Sequence, residues 1–151
     1  QKQFSRIMSL KDGMKKMSKS DPSDLSRINL TDEKEEILNK IKRAKTDPMA
    51  MPDNIHILSE RPEAENLLGI YSSLKNQKLE NSVNEFNGKQ FSEFKEKLSE
   101  VLIEKIQPIS KEIKKLLNDE KYLDEILLKG FEKADKIASK KIKEIKELVG
   151  F

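Results

Sequence analysis

Lysines and hydroxyls alternate over one short stretch, Lys15-Lys16-Met17-Ser18-Lys19-Ser20-Asp21-Pro22, and that composition is suited to holding an anion. Lys16 and Lys19 stand three residues apart with the Ser18 and Ser20 hydroxyls interleaved, so ammonium and hydroxyl donors can converge on phosphate oxygens. Gly13 and Pro22 punctuate the ends and no apolar periodicity crosses the segment, which predicts a mobile loop. A solvated lysine loop is the alternative, because 38% of the residues are charged and such chains form lysine clusters freely. A second basic pattern lies near the C-terminus, where Lys129, Lys133, Lys136, Lys140 and Lys143 recur at spacings of four, three, four and three. On a helix that is one stripe, able to follow a phosphate backbone or simply to face solvent. His56 is the only histidine and cysteine is absent, so no metal site is expected and His56 reads as a half-exposed structural residue.

The elements that must position these residues follow from periodicity. Phe4-Ser5-Arg6-Ile7-Met8-Ser9-Leu10 alternates and runs into Lys11-Asp12-Gly13, which predicts a strand ending at a turn. No later segment reads as a partner strand, so the chain is expected to begin inside a truncated domain. Leu25 to Leu30 reads as an extended connection. Thr31-Asp32-Glu33 then supplies a cap and an acidic first turn for a helix to about Lys45, with Ile37, Leu38, Ile41 and Ala44 inward and Lys34, Lys40, Lys42 and Arg43 outside. Prolines at 48, 52 and 62 break the pattern, leaving a structured loop with a short strand expected at Ile55-His56-Ile57. Pro62 can open a helix to Lys75 lined by Ala64, Leu67, Leu68, Tyr71 and Leu74, and a shorter one carries Leu79, Val83 and Phe86 to the turn Asn87-Gly88. Gln90 to Asn118 is the longest periodic segment, expected to kink at Pro108. Asn118 or Asp119 caps a last helix to Val149, bent at Gly130, with Leu123, Ile126, Leu127, Phe131, Ala134, Ile137, Ala138, Ile142, Ile145 and Leu148 expected inward.

These 151 residues suffice for one domain, or for a small domain plus part of another. Tryptophan is absent and aromatics make up 5%, so an aliphatic core and an all-α fold are expected. No apolar run approaches the roughly 20 residues needed to span a bilayer, and no signal-peptide core opens the chain, which implies a soluble protein. The lack of cysteine fits a reducing cytoplasm. Net charge is +3, unevenly spread: residues 1–45 carry 12 Lys+Arg against 7 Asp+Glu, residues 46–99 carry 6 against 9, and residues 100–151 carry 12 against 11. The basic excess sits at the loop end, where it would draw in a nucleotide or nucleic-acid backbone.

Lys16-Met17-Ser18-Lys19-Ser20 resembles the KMSKS signature of class I aminoacyl-tRNA synthetases. Its flanks, Arg6-Ile7-Met8-Ser9-Leu10 and Ser20-Asp21-Pro22, resemble the bacterial tryptophanyl branch of that family. So do Thr46-Asp47, Asn66 to Ser72, Asn87-Gly88-Lys89, Ile103 to Ile109 and Gly130 to Ala134 with Ile137-Ala138. Pro48 and the methionine-containing stretch after it depart from the family pattern.

The resemblance implies a C-terminal fragment in which residues 1–31 end a Rossmann-type catalytic domain and residues 32–151 form a helical bundle that binds the tRNA anticodon region. It assigns Lys16 and Lys19 to the ATP phosphates as catalytic groups. Met17, Ser18, Ser20 and Met8 become further ATP contacts, with Arg6 beside them. It makes Lys133, Lys136, Lys140 and Lys143 candidates for tRNA. ATP with Mg2+, L-tryptophan and tRNA(Trp) are implied for the intact enzyme, which works as a homodimer. The fragment is expected to bind no cofactor and to be inactive, because the HIGH-like signature and the tryptophan pocket are not in its sequence, and a monomer is expected because the family pairs through its N-terminal domain. A tyrosyl enzyme and a non-enzymatic helical RNA-binding or interaction domain are the alternatives.

Overall fold

The computed structural model describes residues 6–150. Phe4, where the first strand was expected to begin, lies outside them. Two compact units divide the chain, Gln1–Lys111 and Glu112–Phe151.

The first unit opens with an antiparallel ribbon, β1 (Met8–Ser9) and β2 (Asp12–Lys16), in which Met8 faces Lys16 and Ser9 faces Asp12 across an irregularity. The expected strand therefore does have a partner, which runs from the expected turn into the stretch read as loop. Residues 12–16 show no apolar alternation because the ribbon is fixed by what it packs on. A Cβ on Gly13 would stand 2.6 Å from the backbone of Pro62 and Glu63, so only glycine lets the ribbon lie directly on the next helix but one.

Helix α1 (Lys34–Lys42) starts at a capping box in which Glu33 and Glu36 satisfy each other's backbone amides. It buries Ile37 and Ile41, whereas Leu38, expected inward, is 41% exposed. The segment read as extended before it includes a 3-10 turn at Asp24–Ser26. The strand expected at 55–57 is instead a 3-10 turn, His56–Glu60, because the Asn54 side-chain oxygen accepts from the amides of both His56 and Ile57 and curls the chain. His56 is exposed.

Helix α2 (Pro62–Lys75) has proline in its first turn and ends on Asn76 in the left-handed conformation. Helix α3 (Leu79–Phe86) buries Leu79, Val83 and Phe86, and helix α4 (Phe91–Leu117) runs on through Pro108. The core is not purely aliphatic. At its centre Tyr71, Phe86 and Phe94 meet edge to face, with ring centroids 4.8 to 5.9 Å apart. A low aromatic content does not prevent three rings from being gathered at one point.

In the second unit, helix α5 (Glu120–Val149) is capped by the Asp119 carboxylate, which accepts from the Tyr122 amide, and continues through Gly130. Its apolar stripe is not inward: no residue of α5 is buried, and Phe131, Ile137 and Leu148 are 65%, 74% and 85% exposed. Periodicity correctly gave the stripe, but a stripe is buried only where another element covers it. Helices account for 66% of the structure, so the all-α expectation holds.

Candidate functional site

The lysine segment is held at both ends by contacts with distant elements. On the near side Asn66 of α2 grips β1 twice: its amide nitrogen donates to the Met8 carbonyl and its oxygen accepts from the Met8 amide, both at 2.9 Å. The Met17 amide donates to the Ile7 carbonyl at 3.0 Å and closes the ribbon. Glu63 receives the Gly13 amide and the Lys45 ammonium, the latter at 2.7 Å, and chiefly through Lys45 its carboxyl is held below the usual range.

On the far side the chain from Asp21 to Asp32 forms a polar strap. Arg27 donates to the Asp21 carbonyl at 2.9 Å, to the Asn29 side-chain oxygen at 3.2 Å and to Asp24 at 3.0 Å. The Asp21 carboxylate accepts from the Ser23 amide at 2.9 Å, which lowers its pKa, and Lys15 3.4 Å away adds to this. Lys40, read as an outside residue of α1, is 3% exposed: its Nζ lies 2.6 Å from both Asp24 and Asp32. Burial by itself would depress the Lys40 pKa, yet the two carboxylates overcome it and raise it. Lys40 falls three residues after Ile37 and four before Ala44, on the buried face. That spacing was the available signal, and the polar character of lysine masked it.

Between ribbon and strap lies a cleft of about 650 Å³. Arg6, Ile7, Lys16, Met17, Ser18 and Lys19 form one wall, and residues 27–31 form the other. Lys16 ends β2 and Lys19 sits in the following turn, both exposed, and neither forms an ion pair among the described residues. Met17 is half-buried and packs on the core. The Ser18 and Ser20 hydroxyls bond each other at 2.8 Å. Of the residues expected at the site, Ser20 and Met8 are not among those lining the cleft. The structure adds Arg27 and Asn29, which periodicity could not single out because the strap is irregular. The resulting arrangement, free ammonium groups beside an apolar surface of Ile7, Met17, Ile28 and Leu30, can accept a polyanion with an aromatic or aliphatic body.

Lys129, Lys133, Lys136, Lys140 and Lys143 are all exposed on α5. A shallow groove of about 390 Å³ runs past Lys136, Ile137, Lys140, Lys141 and Glu144. Among the described residues no cluster of histidine, aspartate and glutamate is arranged to hold a metal ion, and no helix is long and apolar enough to cross a membrane.

A ribbon and basic turn laid against helices, with exposed lysines over an open cleft, agrees with the motif resemblance, and comparison with known proteins bears it out. Residues 2–107 match the family described as tRNA synthetases class I (W and Y), and the chain belongs to that family. It is 51% identical over 146 residues to the tryptophan–tRNA ligase of Agrobacterium fabrum, covering 97% of this chain and 41% of that protein. The ligase of Rhizobium meliloti is 50% identical over the same shares. The chain therefore spans about two fifths of the length of these relatives. Among solved structures, the tryptophanyl-tRNA synthetase of Campylobacter jejuni, crystallised with ADP and tryptophan, shares the fold with a TM-score of 0.75 at 24% identity, covering 97% of this chain and 44% of that one. The Mycoplasma pneumoniae enzyme gives 0.66 at 26% identity, covering 100% and 47%.

Proposed function

We propose that this chain supplies the phosphate-holding lysines and the helical tRNA-facing part of a tryptophan–tRNA ligase. In that reaction a tryptophan carboxylate oxygen attacks the α-phosphorus of ATP, the bond to the bridging oxygen breaks and pyrophosphate leaves; the aminoacyl group then passes to tRNA(Trp). Negative charge grows on the leaving pyrophosphate, so Lys16 and Lys19 stabilise the transition state more than the ground state when they close over the nucleotide. Ser18 adds a hydrogen bond, and Met17 with Ile7 forms an apolar floor for the base. The observation that carries this reading is the cleft that brings Lys16, Lys19 and Arg6 together with no carboxylate in its lining. With no carboxylate in that lining, the cleft's own donor set does not fit a resident Mg2+.

In this reading residues 1–31 end the catalytic domain, residues 32–151 form the tRNA-binding region, and the lysines from 129 to 143 meet the tRNA backbone. Tryptophan is favoured over tyrosine because the relatives at 50 and 51% identity are tryptophan ligases. The parent acts as a cytoplasmic homodimer, and the 151 residues alone are inactive.

The test is tryptophan-dependent ATP–pyrophosphate exchange in a ligase containing this chain. Lys16→Ala and Lys19→Ala should each slow it by about a hundredfold, the scale seen when one transition-state donor is removed. An unchanged exchange rate in both would refute the assignment.

A further inference from the structure

We infer that Lys40 is a positioning residue for the phosphate cleft, a buried latch on α1 that holds the wall opposite Lys16 and Lys19 in place. The inference rests on the proposed reading of that cleft and adds a residue outside the signature to it.

The strap contributes half of the cleft, including Arg27 and Asn29, yet has no helix or strand of its own beyond one 3-10 turn. What fixes it is polar. Lys40 bridges Asp24, before the wall, and Asp32, after it, at 2.6 Å each. Asn29, inside the wall, donates its side-chain amide to Asp24 and Asp32 at 3.0 Å each and its backbone amide to Asp32 at 2.8 Å. Arg27 adds the second positive charge, 3.0 Å from Asp24, so two carboxylates meet two cations and the cluster is neutral.

A buried ion pair is weak evidence for stability, since desolvation offsets much of the attraction, and α1 already has Ile37 and Ile41 to dock it. Geometry is what Lys40 adds. The Arg27 donors are taken up by Asp21, Asn29 and Asp24, so Arg27 shapes the wall and is not free to leave it for a phosphate. Without the Lys40 ammonium, Asp24 and Asp32 keep Asn29 between them but both lose their tie to α1. A displacement of about 1 Å is enough to cost affinity or rate at a site that depends on positioning.

Two substitutions separate this from a general loss of structure. Lys40→Met removes the latch from α1, and Asp24→Asn weakens it from the strap side at an exposed position while leaving Lys40 paired with Asp32. In a ligase containing this chain, ATP binding is measured by calorimetry, with circular dichroism for helix content and amide hydrogen exchange read residue by residue. Lys40→Met should weaken ATP binding about tenfold and Asp24→Asn by a smaller factor in the same direction, at unchanged helix content. The Asn29 and Ser23 amides should exchange about tenfold faster while those of Ile37 and Ile41 keep their protection. Unaltered ATP affinity in both variants, where Lys16→Ala with Lys19→Ala abolishes binding, would overturn the inference. If that double substitution also leaves binding unaltered, the phosphate reading is what fails. Exchange at Asn29 and Ser23 then decides the latch by itself, and unaltered exchange there overturns it too.

Discussion

Glu63 of α2 joins the ribbon at Gly13 to Lys45, just past α1, through one carboxylate. It is held below its ordinary value of 4.5 first by the Lys45 ammonium, with a contribution from the Gly13 amide. A carboxyl with a lowered folded-state pKa adds stability that is fully present above its unfolded pKa and is lost as pH falls through the folded one. Glu63→Gln should therefore destabilise the protein by about 1 kcal/mol at neutral pH. The gap to wild type should close as the solution is acidified below the ordinary carboxylate range, which urea titrations at a series of pH values would follow. At this scale the sequence was uneven in what it revealed. Lys16 and Lys19 stood out because a five-residue signature contains them, and the structure places both on the cleft. Lys40 and Asn66 were not, since each acts through contacts with residues far along the chain, and a polar side chain on an apolar face looks like noise until its partners are known.

Among the elements, the helices were legible and the ribbon's second strand and the 3-10 turns were not. Helix α2 begins at Pro62 and ends at Lys75 as periodicity and the proline require, and α4 differs from the expected range by one residue at each end. Both have enough turns for the apolar spacing to average out local exceptions. The β1–β2 ribbon has too few residues for any pattern, and its place is fixed by contact with α2. Gly13 is where that contact can be tested. A methyl group there meets backbone atoms of Pro62 and Glu63, which cannot swing aside as a flexible side chain would. Gly13→Ala should push the ribbon off α2, costing about 1–3 kcal/mol as an overpacked contact does. In a ligase containing this chain it should also weaken ATP binding, because Lys16 ends the displaced strand; calorimetric melting together with ATP titration would show both.

For the molecule as a whole, the buried residues decide which parts need each other. Every buried apolar side chain among the described residues, from Leu10 to Ile106, lies in the first unit, and α5 buries none. Ending the chain after Lys111 should leave the melting midpoint of the first unit within a few degrees of the parent, as removal of about 1 kcal/mol or less would. Affinity for tRNA should fall, because all five lysines of the α5 stripe go with the removed segment; filter binding across a range of salt would show a shallower salt dependence. The periodicity that marked α5 as a helix carried no information about what covers its apolar stripe, since spacing describes one surface and burial needs two.

The double grip of Asn66 on Met8 also answers a hazard common to all small sheets. A two-stranded ribbon has two outer rows of amides and carbonyls, each a template on which a strand from another molecule can pair and begin a fibril. Met8 presents its amide and carbonyl away from β2, and both are occupied by a carboxamide that mimics a neighbouring peptide group. The helix thus closes an edge that a third strand would otherwise close, and it does so without lengthening the sheet. The ribbon that ends at Lys16 is thereby kept from recruiting its own kind.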